Sequence, residues 1–163
     1  MSSSIKNLSV FESPVPKSEG MSFGIVVSEW NSQITGKLLE GAVELLKKQG
    51  CKDNEIIIKH VPGTFELSLG SQLLCEHTDV DAVIALGCVI QGETRHFDFI
   101  CQAVSEGVTH VALEYNTPVI FGVLTTNNLE QAQERAGGKY GNKGEEAAAT
   151  AIKMVKLKNE LQG

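Results

Sequence analysis

The sequence predicts an α/β protein whose parallel sheet is covered by helices on both faces. Three observations lead there. Four short apolar runs alternate with longer stretches in which apolar residues recur every three or four positions. The four runs are continuously apolar rather than alternating, as strands covered on both faces should be. The connections are long enough for right-handed crossovers, which parallel neighbours need.

The elements follow in order. Residues 1–21 carry two prolines in FESPVPKSEG and read as an extended arm without a core of its own. SFGIVVS (22–28) is the first strand. NSQITGKLLEGAVELLKKQG follows, with Ile34, Leu38, Leu39, Ala42, Leu45 and Leu46 on one helical face and Gly50 as the stop. EIIIKHV (55–61) is the second strand, and TFELSLGSQLLCEH (64–77) the second helix. DAVIALGCVI (81–90) is the third strand. A helix from His96 to Tyr115 has Phe97, Ile100, Cys101, Val104, Val108, Val111 and Ala112 on one face. PVIFGVLTT (118–126) is the fourth strand, and helices at 128–136 and 144–161 flank RAGGKYGNKG. The domain proper is expected over 22–163.

Bulk properties narrow the function. The 163 residues suit one domain at about 150 residues per domain, and a chain of this length buries roughly 70% of its unfolded surface without staples. The net charge of −6 argues against nucleic acid as a partner. Local cations can still hold a small anion. Cys51, Cys75, Cys88 and Cys101 form no CxxC pair and have no histidine cluster, so no metal site is expected. Reduced, buried thiols fit a cytoplasmic protein. The opening MSSSIKNLSV reads as no signal peptide, and no apolar run nears the ~18 residues of a membrane span.

In such sheets ligands bind beyond the carboxyl ends of the strands, and four stretches converge on that rim. After the first strand comes Glu29-Trp30-Asn31, with the only tryptophan in the chain. Trp30 can pack on the core, or serve as a plate for a planar ring. After the second strand comes Pro62-Gly63-Thr64-Phe65-Glu66. Glu66 can simply favour a helix dipole, or join Phe65 in holding an aromatic, amide-bearing ligand. After the third strand comes Gln91-Gly92-Glu93-Thr94-Arg95-His96. Thr94 is expected to be the N-cap. Two basic residues in a first helical turn are disfavoured by the dipole, by roughly 0.3–1 kcal/mol, so His96 reads as a proton-transfer group rather than a solvated surface residue, with the latter left open, and Arg95 as either surface or site. After the fourth strand, Arg135, Lys139, Lys143 and the intervening glycines suit a phosphate. They can also be a solvated helix joint. No GxGxxG follows the first strand, Glu93 stands where a P-loop needs lysine, and neither GxSxG nor HExxH occurs.

The motifs FGIVVSEWN, VPGTFELSLG, DAVIALGCVIQGETRHFD, PVIFGVLTT and EQAQERAGGKYGNKGEEAA, in that order over Phe23 to Leu161, resemble the lumazine synthase family of riboflavin biosynthesis. The resemblance implies a flavodoxin-like three-layer αβα sandwich with a four-stranded parallel sheet and an N-terminal arm joining a neighbouring subunit. It implies condensation of 5-amino-6-(D-ribitylamino)uracil with 3,4-dihydroxy-2-butanone 4-phosphate, without metal or organic cofactor. Trp30 matches the aromatic that stacks on the pyrimidine. Thr64, Phe65 and Glu66 match the segment that binds pyrimidine and ribityl chain. Cys88, Val89 and Ile90 match a strand end whose backbone reads the pyrimidine edge. Glu93 and Thr94 match the loop at the phosphate, and His96 matches the proton-transfer histidine. Phe121 matches a fourth-strand aromatic of the pyrimidine pocket, Arg135 the phosphate-binding arginine, and Lys143 a lysine of the same pocket.

Two residues depart from the family's pattern: Glu93 replaces a small residue, and Gln91 a basic one. An acid beside a phosphate is unfavourable unless only its N–H is used. The resemblance also implies a ring of five subunits, a closed shell of twelve such rings, and riboflavin synthase as a further partner. Ile5, Leu8, Val10 and Phe11 of the arm would find burial against a neighbour, so removing 1–21 is expected to weaken assembly more than the domain. Two alternatives carry different chemistry: a non-catalytic, shell-forming or flavin-binding relative, and a flavodoxin-type electron carrier. SEWNSQITG is a poor match to the hydroxyl-rich flavin loop of the latter.

Overall fold

The computed structural model describes residues 7–163. Four strands carry the fold: β1 (Phe23–Ser28), β2 (Ile56–Val61), β3 (Ala82–Ile90) and β4 (Val119–Thr126). They pair in the order β2-β1-β3-β4, all parallel. The helices are α1 (Ser32–Lys48), α2 (Leu67–His77), α3 (His96–Tyr115), α4 (Leu129–Glu134) and α5 (Lys143–Gln162). A short antiparallel ribbon, β5 (Ala136–Gly138) with β6 (Gly141–Asn142), joins the last two helices. This is the three-layer, four-stranded αβα sandwich that the sequence implies.

The two faces of the sheet build two cores. Phe23, Ile25, Val27, Ile84 and Leu86 pack with Ile34 and Leu38 of α1 and with Ala148, Ala151 and Ile152 of α5. Val26, Val83 and Ala85 point to the other face and pack with Leu67 and Leu74 of α2 and Val104 and Val108 of α3. That alternation is the period-2 geometry of a strand. Covering both sides makes every β1 residue buried. The outer strand β2 instead exposes Ile58, Lys59 and His60. Charge on an edge strand discourages unwanted pairing.

The structure differs from the sequence reading in four places. Thr64–Glu66 form a separate 3₁₀ turn, and α2 begins at Leu67; the tighter turn accompanies an N–H···carboxylate bond from Gly63 to Glu66 across three residues. Thr94 is not the N-cap of α3. Arg95 holds that position, and Thr94 Oγ1 only accepts a long 3.4 Å bond from His96 N. The helix expected at 128–136 stops at Glu134, because the glycines after it form the ribbon.

The arm is the fourth difference. Its described part has partners on its own domain. Phe11 and Val15 pack against the α1–α5 core. Ser18 is fully buried, its N–H donating to Gln49 O at 2.8 Å and its hydroxyl to Leu46 O at 3.2 Å. Lys153 Nζ reaches Ser13 Oγ at 2.8 Å. Removing all of 1–21 would therefore open the core as well. Val10 stays 72% exposed, and Ile5 lies outside the described residues.

Candidate active site at the carboxyl rim

The rim forms because β3 is longer than its neighbour. β1 pairs with β3 only as far as Val27 opposite Leu86, whereas β3 continues beside β4 to Ile90 opposite Thr126. Successive residues of a strand direct their N–H and C=O to opposite sides. Gln91 N donates to Thr126 O at 2.9 Å, on the β4 side. Cys88 and Ile90 consequently turn their backbone groups to the open β1 side. Beyond Leu86 that side of β3 has no paired strand, which leaves a gap in the sheet at the rim.

Trp30 and Asn31 border that gap. Glu29 N donates to Val61 O at 2.8 Å and Trp30 N to Pro62 O at 3.1 Å, tying the turn after β1 to the end of β2. Asn31 adopts the left-handed region (φ 61°), which asparagine tolerates better than most residues. Its Nδ2 donates to Cys88 O at 3.0 Å, tying the same turn to β3. Asn31 is a residue the sequence reading did not single out. Its signal was an asparagine at a tight strand–helix turn.

Trp30 is 71% exposed, so it is not a core residue. The ring lies across Gly63. A Cβ on Gly63 would stand 2.9 Å from Trp30 Cε3 and 3.1 Å from Glu66 Oε2. Only glycine lets ring and carboxylate approach this closely. Glu66 Oε2 accepts from Gly63 N at 3.0 Å. The acid thus closes the first turn. Thr64 is buried, while Phe65 is 55% exposed beside the rim.

His96 opens α3 with an exposed imidazole. Among the described residues that imidazole has no hydrogen-bond or ionic partner, and neither does the exposed carboxylate of Glu93. Arg95 turns away to Asp98, Nε to Oδ2 3.9 Å, a solvated pair of small worth. Cys88 is buried with its thiol pushed up to about 11 by burial, and burial is also the main cause that raises Cys51 to about 11. All four cysteines are free. Burial keeps Cys51 and Cys88 protonated and out of reach near pH 8, and although it also raises Cys75 and Cys101, those two are only partly enclosed. Alkylation followed by peptide mass spectrometry should therefore label the half-buried Cys75 and Cys101 first. Early loss of Cys88 would mean that the strand end opens.

The other expected residues stand apart. Arg135 ends α4 and Lys143 begins α5, joined by Lys143 N donating to Arg135 O at 2.9 Å. Their elements pack on the α1 face of the sheet, whereas Phe65, Glu66 and His96 belong to elements of the α2–α3 face. Phe121 lies mid-strand opposite Ala85, half-buried in the α2–α3 core and five residues before the rim end of β4 at Thr126. Among the described residues no hydrogen bond or ion pair links Phe121, Arg135 or Lys143 to the first group. Among them, too, no group of three or more His, Cys, Asp and Glu could hold a metal ion, and no helix is long and apolar enough to cross a membrane.

Fold and rim together define a parallel-sheet α/β protein in which Trp30, Glu66 and His96 stand on the segments that follow the carboxyl ends of β1, β2 and β3. The family model described as 6,7-dimethyl-8-ribityllumazine synthase matches residues 20–159, and the chain belongs to that family. It is 64% identical over 155 residues to the 6,7-dimethyl-8-ribityllumazine synthase of Cytophaga hutchinsonii, covering 95% of this chain and 98% of the relative. It is 52% identical over 163 residues to the protein of that name from Phocaeicola vulgatus, covering 99% and 97%. The Flavobacterium johnsoniae protein of the same name is 47% identical over 161 residues, with 98% and 85% covered.

Proposed function

We propose that the chain condenses 5-amino-6-(D-ribitylamino)uracil with 3,4-dihydroxy-2-butanone 4-phosphate to 6,7-dimethyl-8-ribityllumazine. The 5-amino nitrogen adds to the ketone and releases water as an imine forms. Inorganic phosphate leaves from the adjacent chain. The ribitylamino nitrogen then closes the second ring and a second water departs. The protein's part is to hold two substrates in line and to move protons. Positioning alone can supply ~7–11 kcal/mol in principle.

The observation that carries this reading is the gap between Trp30 and the free edge of β3. A pyrimidine stacked on Trp30 presents its amide edge to the backbone of Cys88 and Ile90, whereas Val89, expected to share that role, turns its backbone groups to β4. Thr64, Phe65 and Glu66 then border the ribityl chain. The loop with Glu93 and Thr94 meets the phosphate through backbone N–H groups, and His96 beside it takes and returns protons. No metal or organic cofactor is needed for these steps. Turnover of the two substrates, followed by the absorbance of the lumazine, tests the reading directly. A folded protein that binds the lumazine without forming it would instead be the non-catalytic relative.

Phe121, Arg135 and Lys143 complete a neighbouring subunit's site in this reading. Arg135 and Lys143 lie on elements of the opposite, α1 face and Phe121 lies five residues short of the rim end of β4, which supports it. So does the stripe of Phe65, Leu69 and Leu73, which are 55%, 59% and 45% exposed at helical spacing. Exposed apolar stripes of this kind mark interaction surfaces. We propose the ring of five as the active unit, with the shell of twelve rings and riboflavin synthase as further levels of assembly. Four free thiols support a cytoplasmic location.

In this reading the arm joins a neighbouring subunit at a sheet edge. Removing 1–6 alone is expected to lower the mass of the assembly while Tm changes little. Light scattering and thermal melts measure the two effects. An unchanged mass would remove the arm from the assembly, and a fully active monomer would overturn the shared site.

A further inference from the structure

Arg135 is held by an unusual set of neighbours. Its Nη1 donates to Gln131 O at 2.9 Å and stands 3.7 Å from Glu134 Oε2. The guanidinium carbon lies 4.9 Å from the centroid of the Tyr140 ring, and Lys139 Nζ lies 5.2 Å from the same ring. A guanidinium is attracted to an aromatic face and stacks on it. One ring therefore gathers two cations at the joint between α4 and α5.

The backbone that carries the ring is itself held from outside the ribbon. Tyr140 N donates to Glu134 O at 2.8 Å, but Tyr140 O accepts from Leu8 N of the arm at 2.6 Å. Two residues on, Asn142 N donates to Ser9 Oγ at 3.0 Å. Between these two bonds lies Gly141, with φ +84°. A Cβ there would stand 2.7 Å from Ser9 N. The arm thus lies on the ribbon with no room for a side chain between them, and its own Asn7 Oδ1 accepts from Ser9 N at 2.9 Å. The far side of the ribbon is anchored to α1, where Asn142 Nδ2 donates to Lys37 O at 3.0 Å.

We propose that Tyr140 is a positioning residue for phosphate recognition, holding the Arg135 guanidinium on its ring while Leu8 and Ser9 of the arm hold the ribbon that carries the ring. This rests on the reading of Arg135 as a phosphate ligand. In consequence the arm acts on its own chain's phosphate ligand as well as on assembly.

The test uses the full chain and compares Arg135→Ala, Tyr140→Leu, Tyr140→Phe and Ser9→Ala. The readouts are KM for each substrate and the inhibition constant of inorganic phosphate against the butanone phosphate. Tyr140→Leu is expected to raise the phosphate constant and the KM for the butanone phosphate roughly two- to fivefold, with the KM for the pyrimidine unchanged. Tyr140→Phe, which keeps the ring, should restore both. Ser9→Ala, remote from the ring, should move the same two constants in the same direction by a smaller factor. If Arg135→Ala raises them and neither Tyr140→Leu nor Ser9→Ala does, the proposal is overturned. Equal rises for both substrates in Tyr140→Leu would also overturn it, because general distortion would then suffice. If Arg135→Ala itself leaves both constants unchanged, the underlying reading of Arg135 fails instead.

Discussion

Replacing His96 with alanine is expected to lower kcat by ~10²–10⁴-fold, the range for loss of a positioned general acid–base group. The imidazole stands exposed at the first residue of α3, beside the loop that follows β3. Nothing in the described chain engages it, so it is available to a ligand. Imine formation, phosphate departure and ring closure each move a proton, and a histidine can give and take one near neutral pH. The loss should fall at the low end of the range if positioning dominates, because substrates held together still condense slowly. KM for either substrate should change much less than kcat. The decisive measurement is the pH–rate profile of the variant beside that of the parent. The same profile and the same kcat in both would remove His96 from the chemistry.

Arg135→Ala is expected to raise the KM for the butanone phosphate by roughly 10- to 150-fold. That is the ~1.5–3 kcal/mol of a charge-assisted hydrogen bond expressed as a ratio. The Arg135 side chain is 29% exposed and the neighbouring Lys143 side chain 19%, so both cations are partly shielded from water. Lys143 Nζ is 2.6 Å from Glu146 Oε1, which offsets part of its charge. Arg135 is accordingly the stronger claim on the phosphate. The KM for the pyrimidine should stay near the parent value. Equal effects on both substrates, or none, would end the assignment.

The candidate residues stood out in the sequence because they break local rules. A lone tryptophan on a polar turn and a histidine at a helix N-terminus each sit where folding alone gives little reason for them. Other features were not legible. Thr94 looked like a cap from residue type, yet the path from β3 into α3 sets Arg95 there. Glu66 looked open to a ligand role, and its carboxylate also closes the turn at Gly63. Asn31 escaped notice because its bond to Cys88 O spans 57 positions. No short-range pattern reports a contact of that length.

The sequence by itself determined the four strands of the sheet, the main helices, their order and the family. Helix α3 runs from His96 to Tyr115, the bounds its apolar periodicity predicts. The central strands β1 and β3 were visible as continuous apolar runs because burial on both faces leaves almost no polar position, whereas the outer strand β2 was visible by its Ile56-Ile57-Ile58 run alone. Tertiary structure alone decided the ribbon and the arm. The segment 136–142 has no periodicity, and its order comes from Leu8, Ser9 and Lys37, which are distant in the chain. The described arm looked unpartnered because prolines and polar residues mask its anchors. Phe11, Val15 and Ser18 find their sites only once α1 and α5 have packed together. Patterning is local and follows from backbone geometry, whereas docking depends on surfaces that exist only after the core has formed.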